Sequence, residues 1–88
     1  MIFDNRRSEI EILDTILSEA ISEVKKTHLQ YTANVCYTQF SDYFDFLLAR
    51  GFLSAMQGET PQKTYIITEK GRLFHQNIKT ILSMIKGK

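Results

Sequence analysis

Apolar residues at Ile10, Leu13, Leu17, Ala20, Ile21 and Val24 recur at three- and four-residue spacing and predict an amphipathic helix, opened by Ser8 with Glu11 three residues on. Glu9, Glu11, Asp14, Glu19 and Glu23 make much of its remaining surface acidic, and the early carboxylates suit the positive end of the helix dipole. "KKTHLQYTANV" predicts a short second helix, with Thr27 as its cap, Gln30 three residues later, Leu29 as its main apolar contribution and Asn34 ending it in the left-handed conformation. In the next stretch Phe40, Tyr43, Phe44, Leu47 and Leu48 share one face of a third helix, which Gly51 stops. The period then changes: "GFLSAMQ" and "KTYIIT" are β-type runs separated by the turn residues of "GETPQ". A last helix starts at Thr68 and Glu69 and places Phe74, Ile78, Ile81 and Ile85 at spacings of four, three and four, a coiled-coil-like seam. Gly71 in its first turn is unfavourable for helix propensity, which predicts close packing at that point.

Two helices joined by a tight turn at residues 34–36 form a helix-turn-helix, and two strands with a polar tip directly behind it form a wing. The expected fold is α+β and mainly helical: a three-helix core, a two-stranded wing and a C-terminal dimerisation helix. A chain of 88 residues supports one modest core, so a single domain is expected, with 1–68 as the winged core and 69–86 as the dimerisation helix.

Charge refines this picture. Residues 1–62 hold five basic and nine acidic residues, −4, whereas residues 63–88 hold six basic and one acidic, +5. Such asymmetry suits a basic surface that meets nucleic acid, and equally ordinary solvated side chains. Hydrophobic residues at 43% and charged residues at 24% are ordinary for a globular chain, and no apolar stretch is long enough to span a bilayer. "MIFDNRR" has no extended apolar region behind its basic pair and is not a secretory signal, and one cysteine makes no disulfide framework. A soluble, cytoplasmic protein without membrane partners is expected.

The candidate chemistry is sparse. His28, Cys36 and His75 have neither CxxC-type nor i, i+4 spacing, which argues against a metal site. No nucleophile elbow or phosphate-cradling glycine loop is present, so neither enzymatic activity nor a cofactor is expected. Cys36 is expected to be semi-buried at the start of the third helix, where a helix terminus favours the thiolate, leaving redox sensing as a minor alternative.

The succession "RRSEIEILDTIL", "KKTHLQYTANVCYTQFSDYFDFLLARGFL" and "YIITEKGRLF" resembles the small archaeal winged-helix proteins found in cells and in their viruses. The shared features are a Thr-initiated second helix, an Asn before the third, and a Tyr-x-x-Thr-x-x-Gly signature leading into the last, over roughly residues 6–82. The resemblance implies a DNA-binding transcriptional regulator or chromatin-type protein that dimerises through its last helix. That helix is shorter here than in the family's long coiled-coil members.

On this reading Tyr37, Thr38, Gln39, Ser41 and Asp42 are the outward residues of a recognition helix over about 37–50, with Asp45 deeper along it and Ala49 near its end. Gln pairs with adenine, Thr contacts a thymine methyl or a phosphate, and Asp accepts from cytosine N4. Phosphate contacts are expected from Arg6 and Arg7 before the first helix, from Lys25, Lys26 and Thr27 leading into the second, and from Gln62, Lys63 and Thr64 at a wing over about 56–64. Phe74, Ile78, Ile81 and Ile85 are the expected homodimer interface. A rival reading stays open: Phe46 flanks the buried stripe of the third helix, as an aromatic in a winged helix used for protein contacts would. Double-stranded DNA is the preferred partner.

Overall fold

The computed structural model describes residues 9–57 and 61–86. The chain runs α1 (Glu9–Glu19), β1 (Val24–Lys25), α2 (Lys26–Ala33), α3 (Tyr37–Ala49), β2 (Leu53–Gln57), β3 (Lys63–Ile67) and α4 (Glu69–Lys86). The α+β, mainly helical winged architecture is as expected, with one addition. The sheet has three antiparallel strands in the order β1-β3-β2, because Val24 and Lys25 pair with Tyr65 and Thr64. Ser8 lies outside the described residues.

In α1 the core stripe is rotated from the expected one. Ile12, Ile16, Leu17 and Ala20 are buried, while Ile10 and Leu13 pack at the margin. The helix stops at Glu19, so Ile21 beyond it is 50% exposed and Val24 belongs to a strand. Strand pairing causes the early stop: the carbonyl of Ala20 accepts the Ile67 N–H at 2.8 Å, joining the end of α1 to β3.

Thr27 is not the cap of α2. Lys25, held extended in β1 at φ −81° and ψ 153°, is the N-cap and makes no side-chain cap bond, and Thr27 sits inside the helix. Asn34 does end α2 in the left-handed conformation, at φ 57° and ψ 45°. Cys36 opens α3 with its carbonyl accepting from Phe40 N–H at 2.9 Å, and it is exposed rather than semi-buried.

The far end of α3 closes with two linked bonds, Gly51 N–H to Leu48 O at 3.0 Å and Phe52 N–H to Leu47 O at 2.8 Å. Gly51 makes this possible at φ 78°, a region costly for other residues. Phe40, Phe44 and Leu47 are buried along α3, and Phe44 meets Tyr65 of β3 edge-on at 4.9 Å.

Each residue of the Tyr65, Thr68, Gly71 signature has a structural task. Tyr65 packs on Phe44. Thr68 caps α4: its Oγ1 accepts the Gly71 N–H at 2.9 Å and donates to Gly51 O at 2.6 Å. Gly71 leaves room for the Phe52 carbonyl, which a Cβ would strike. Phe52 and Phe74 then stack at 4.1 Å with planes 6° apart. Ile78 is buried at 4% exposure, so α4 is packed into the same core as the three preceding helices.

Candidate nucleic-acid interface

β1 leads directly into α2, and β3 pairs with β1, so the start of α2 is stitched to the base of the wing. Lys25 faces Thr64 in that register. Lys25, Lys26, Thr27, Gln62, Lys63 and Tyr65 consequently line one open hollow, which brings together five of the expected DNA-contacting residues from two distant parts of the chain. Arg6, Arg7 and the wing tip at 58–60 lie outside the described residues.

Two of these groups are more constrained than the sequence suggests. Thr64 Oγ1 donates to Glu23 Oε2 at 2.9 Å, so its hydroxyl hydrogen is already placed. Lys26 is half-buried with its ammonium 4.9 Å from the Phe44 ring centroid and 5.8 Å from that of Tyr37. It therefore ties α2 to α3 as well as contributing charge.

On α3, Tyr37, Thr38, Gln39, Asp42, Asp45 and Ala49 are exposed, as an outward face requires, while Ser41 is half-buried. A hydrogen bond with Ser41, and then the Lys26 charge, hold the Tyr37 phenol below the usual tyrosine range. Burial, then the carboxylates of Glu9 and Asp42, push Tyr43 above it. The two tyrosines thus mark the edges of an exposed strip whose middle carries Thr38, Asp42 and Asp45.

Pattern reading passed over a second hollow, lined by Val24, Lys25, Thr27, His28 and Tyr31, which shares Lys25 and Thr27 with the first. Tyr31 is 85% exposed, and its place four residues after Thr27 on the same helix was the available signal. His28 Nε2 lies 2.9 Å from Glu19 Oε1. His75, which its spacing set aside as a metal ligand, is the buried polar side chain among the described residues, with Nε2 2.8 Å from Asp14 Oδ1 and 3.0 Å from Ser18 Oγ. Its partners are 61 and 57 positions away, and no local pattern announces them.

The four residues of the expected dimer seam do not share one free surface. Ile78 is in the core and Phe74 is stacked on Phe52, whereas Ile81 and Ile85 are 42% and 43% exposed. Leu73 at 62% and Met84 at 76% are the more exposed apolar residues of α4. Phe46 is 37% exposed, edge-on to Phe52 at 6.2 Å and beneath the Arg50 guanidinium at 5.4 Å. No helix among the described residues is long and apolar enough to cross a membrane.

A winged helix-turn-helix family model matches residues 6–86. Two uncharacterised proteins of Methanocaldococcus jannaschii are related in sequence. MJ0287 is 28% identical over 85 residues, covering 94% of this chain and 81% of the relative. MJ0290 is 31% identical over 81 residues, covering 91% of this chain but 36% of the longer relative. Among solved structures, Sso10a-2, a DNA-binding protein from Sulfolobus solfataricus, superposes with a TM-score of 0.80 at 29% identity over 91% of this chain and 83% of its own. F-93 of SSV1 shares the fold at a TM-score of 0.69 and 23% identity, over 96% of this chain and 97% of its own. AF1382 from Archaeoglobus fulgidus does so at 0.70 and 21%, over 90% and 88%.

Proposed function

The chain belongs to the winged helix-turn-helix family, and from that premise we propose that it binds double-stranded DNA as a homodimer, as a transcriptional regulator or chromatin-type protein of the cytoplasm. The observation that carries this reading is the convergence of Lys25, Lys26, Thr27, Gln62 and Lys63 in one hollow between α2 and the wing. Three ammonium groups and two short polar side chains suit a phosphodiester track, which positions a protein without reading sequence. Beside it, α3 presents Tyr37, Thr38, Gln39 and Asp42 to solvent, the short polar surface that a major groove admits. Arg6 and Arg7 add backbone contacts from the other end of the chain. The DNA-binding character of Sso10a-2 supports the same assignment.

The homodimer is assigned to the outer surface of α4, where Leu73, Ile81, Met84 and Ile85 leave an apolar area unpartnered in one chain. In this reading Ile81 and Ile85, both exposed, belong to the interface, and Phe74 and Ile78 support the helix from within.

The test is a titration of fluorescent duplex DNA across a salt series. Binding should weaken steeply, with log K falling by about 0.9 per neutralised phosphate for each unit of log salt. A chain with no measurable affinity at low salt would turn the assignment toward a protein-contact module.

A further inference from the structure

Seven of the residues of α4 between Leu73 and Ile85 are apolar: Leu73, Phe74, Ile78, Ile81, Leu82, Met84 and Ile85. They fill about half of the helix circumference, a wider arc than the stripe that contact with α1 buries, so apolar burial alone leaves the rotation of α4 within that arc unspecified. A turn of about 60° would bring Ile85 to the place of Leu82 at little cost in buried area. In the structure, however, Phe74, Ile78 and Leu82 pack on the core and Leu73, Ile81, Met84 and Ile85 stay outside.

The group that discriminates between these arrangements is His75. It is 7% exposed and lies between Phe74 and Ile78 along the inward stripe. Its Nε2 meets the Asp14 carboxylate at 2.8 Å and the Ser18 hydroxyl at 3.0 Å, two residues one turn apart on α1. The carboxylate accepts, so the ring nitrogen donates. Lys79, one turn further along α4, reaches the same Asp14 oxygen at 3.6 Å. Any rotated packing would leave the imidazole, and the half-buried Asp14, without these partners, a penalty that apolar residues do not incur. Gly71 against Phe52 fixes the start of α4 in the same sense.

We infer that His75, joined to Asp14 and Ser18, is the positioning residue that selects which stripe of α4 faces the core and therefore which stripe is offered to a second copy of the chain. In the dimer this rotation sets the angle between two α3 helices, and with it the half-site spacing on DNA; that last consequence rests on the proposed DNA-binding dimer. The role is specification rather than stability, since a buried polar cluster replaced by well-packed apolar residues often leaves stability unchanged or raised.

The test compares His75→Leu and His75→Gln with the wild type by amide NMR of the free protein. His75→Leu leaves Asp14 partly exposed and facing Lys79, so the chain should stay folded, with a lowered melting temperature, while the signals of residues 73–85 split or broaden. Replacing His75, Asp14 and Ser18 together by apolar residues should restore the melting temperature and not the single set of signals. His75→Gln, which restores an N–H donor, should return one set. On palindromic duplexes of varied half-site spacing, His75→Leu should accept several spacings where the wild type prefers one. A single sharp set of α4 signals in His75→Leu overturns the inference. If that variant is unfolded, Asp14→Leu opens the same joint from α1, where the side chain is 23% exposed. Unfolding of both would reduce the joint to ordinary stabilisation and also overturn it. The NMR comparison involves no DNA, so failure of the wild type to bind duplex would defeat the proposed function and leave this result standing.

Discussion

The carbonyl oxygen of Phe52 occupies the space that a side chain on residue 71 would need, so the turn leading into β2 and the start of α4 meet backbone to backbone at Gly71. The same carbonyl accepts the Thr68 N–H at 3.0 Å and cannot retreat without loosening the start of α4. In an ordinary helix Gly to Ala gains about 1 kcal/mol. Here the sign should reverse: Gly71→Ala is expected to lose about 1–3 kcal/mol through overpacking, measured by urea unfolding. A stabilised Gly71→Ala would show that the contact yields easily.

Thr68 holds the neighbouring bonds. Replacing it by Ala removes the acceptor for Gly71 N–H and the donor to Gly51 O, and should cost about 1 kcal/mol. Thr68→Ser should retain most of the stability. Thermal unfolding of the pair separates the cap from simple loss of volume.

Charge on the phosphate track should be separable from base reading. Lys63→Ala is expected to weaken binding on every sequence and to lower the salt slope by about one. Lys26→Ala should do this and more, because its ammonium also rests on the Phe44 and Tyr37 rings. Gln39→Ala should cost about 1–3 kcal/mol on a cognate site and little on random duplex. Equal losses on both duplexes would reduce Gln39 to a positioning contact.

Asp42 is exposed on α3, and in the proposed DNA complex its carboxylate would meet phosphate unfavourably unless a cytosine amino group were offered to it. Asp42→Asn should therefore raise affinity for random DNA and narrow the gap between cognate and random sites, while Asp45→Asn, further along the helix, does less. Binding curves superimposed on the wild type for both variants would remove α3 as the reading element and favour the wing.

The division of α4 into inner and outer residues predicts opposite outcomes for two charge insertions. Ile78→Asp places a carboxylate in the core and should unfold the chain, since an unpaired buried charge costs several kcal/mol. The double substitution Leu73→Lys with Met84→Lys touches exposed positions and should give a folded monomer. Light scattering and circular dichroism on both variants check this, and an unchanged dimer mass in the second would move the interface elsewhere.

Much of the fold is legible along the chain because it is written in local terms. Asn34 and Gly51 end helices in conformations that few residues adopt without strain, and Thr68 announces the start of α4. The spacing of Phe40, Phe44 and Leu47 requires a helix with one buried face. Lys25, Lys26, Thr27, Gln62 and Lys63 were recognisable one by one as candidate contacts, although nothing local says that they share a hollow.

What the sequence by itself determined is therefore the order and type of the elements other than β1, the helix ends at Asn34, Gly51 and Thr68, and the polar character of α3, all of which depend on interactions within a few residues. Tertiary structure decided the rest. Pairing of β1 with β3 moved the start of α2 to Lys26 and made Thr27 an interior residue, because a strand hydrogen-bonded to a partner forty positions away overrides a local capping preference. It also turned α1 onto Ile12 and Ile16, and it drew Ile78 inward while leaving Leu73 and Met84 outside. A helix whose apolar arc is wider than the stripe it buries does not fix its own rotation, and the distant partners of His75, with the carbonyl against Gly71 and the ring of Phe52 on Phe74, choose the side that is buried.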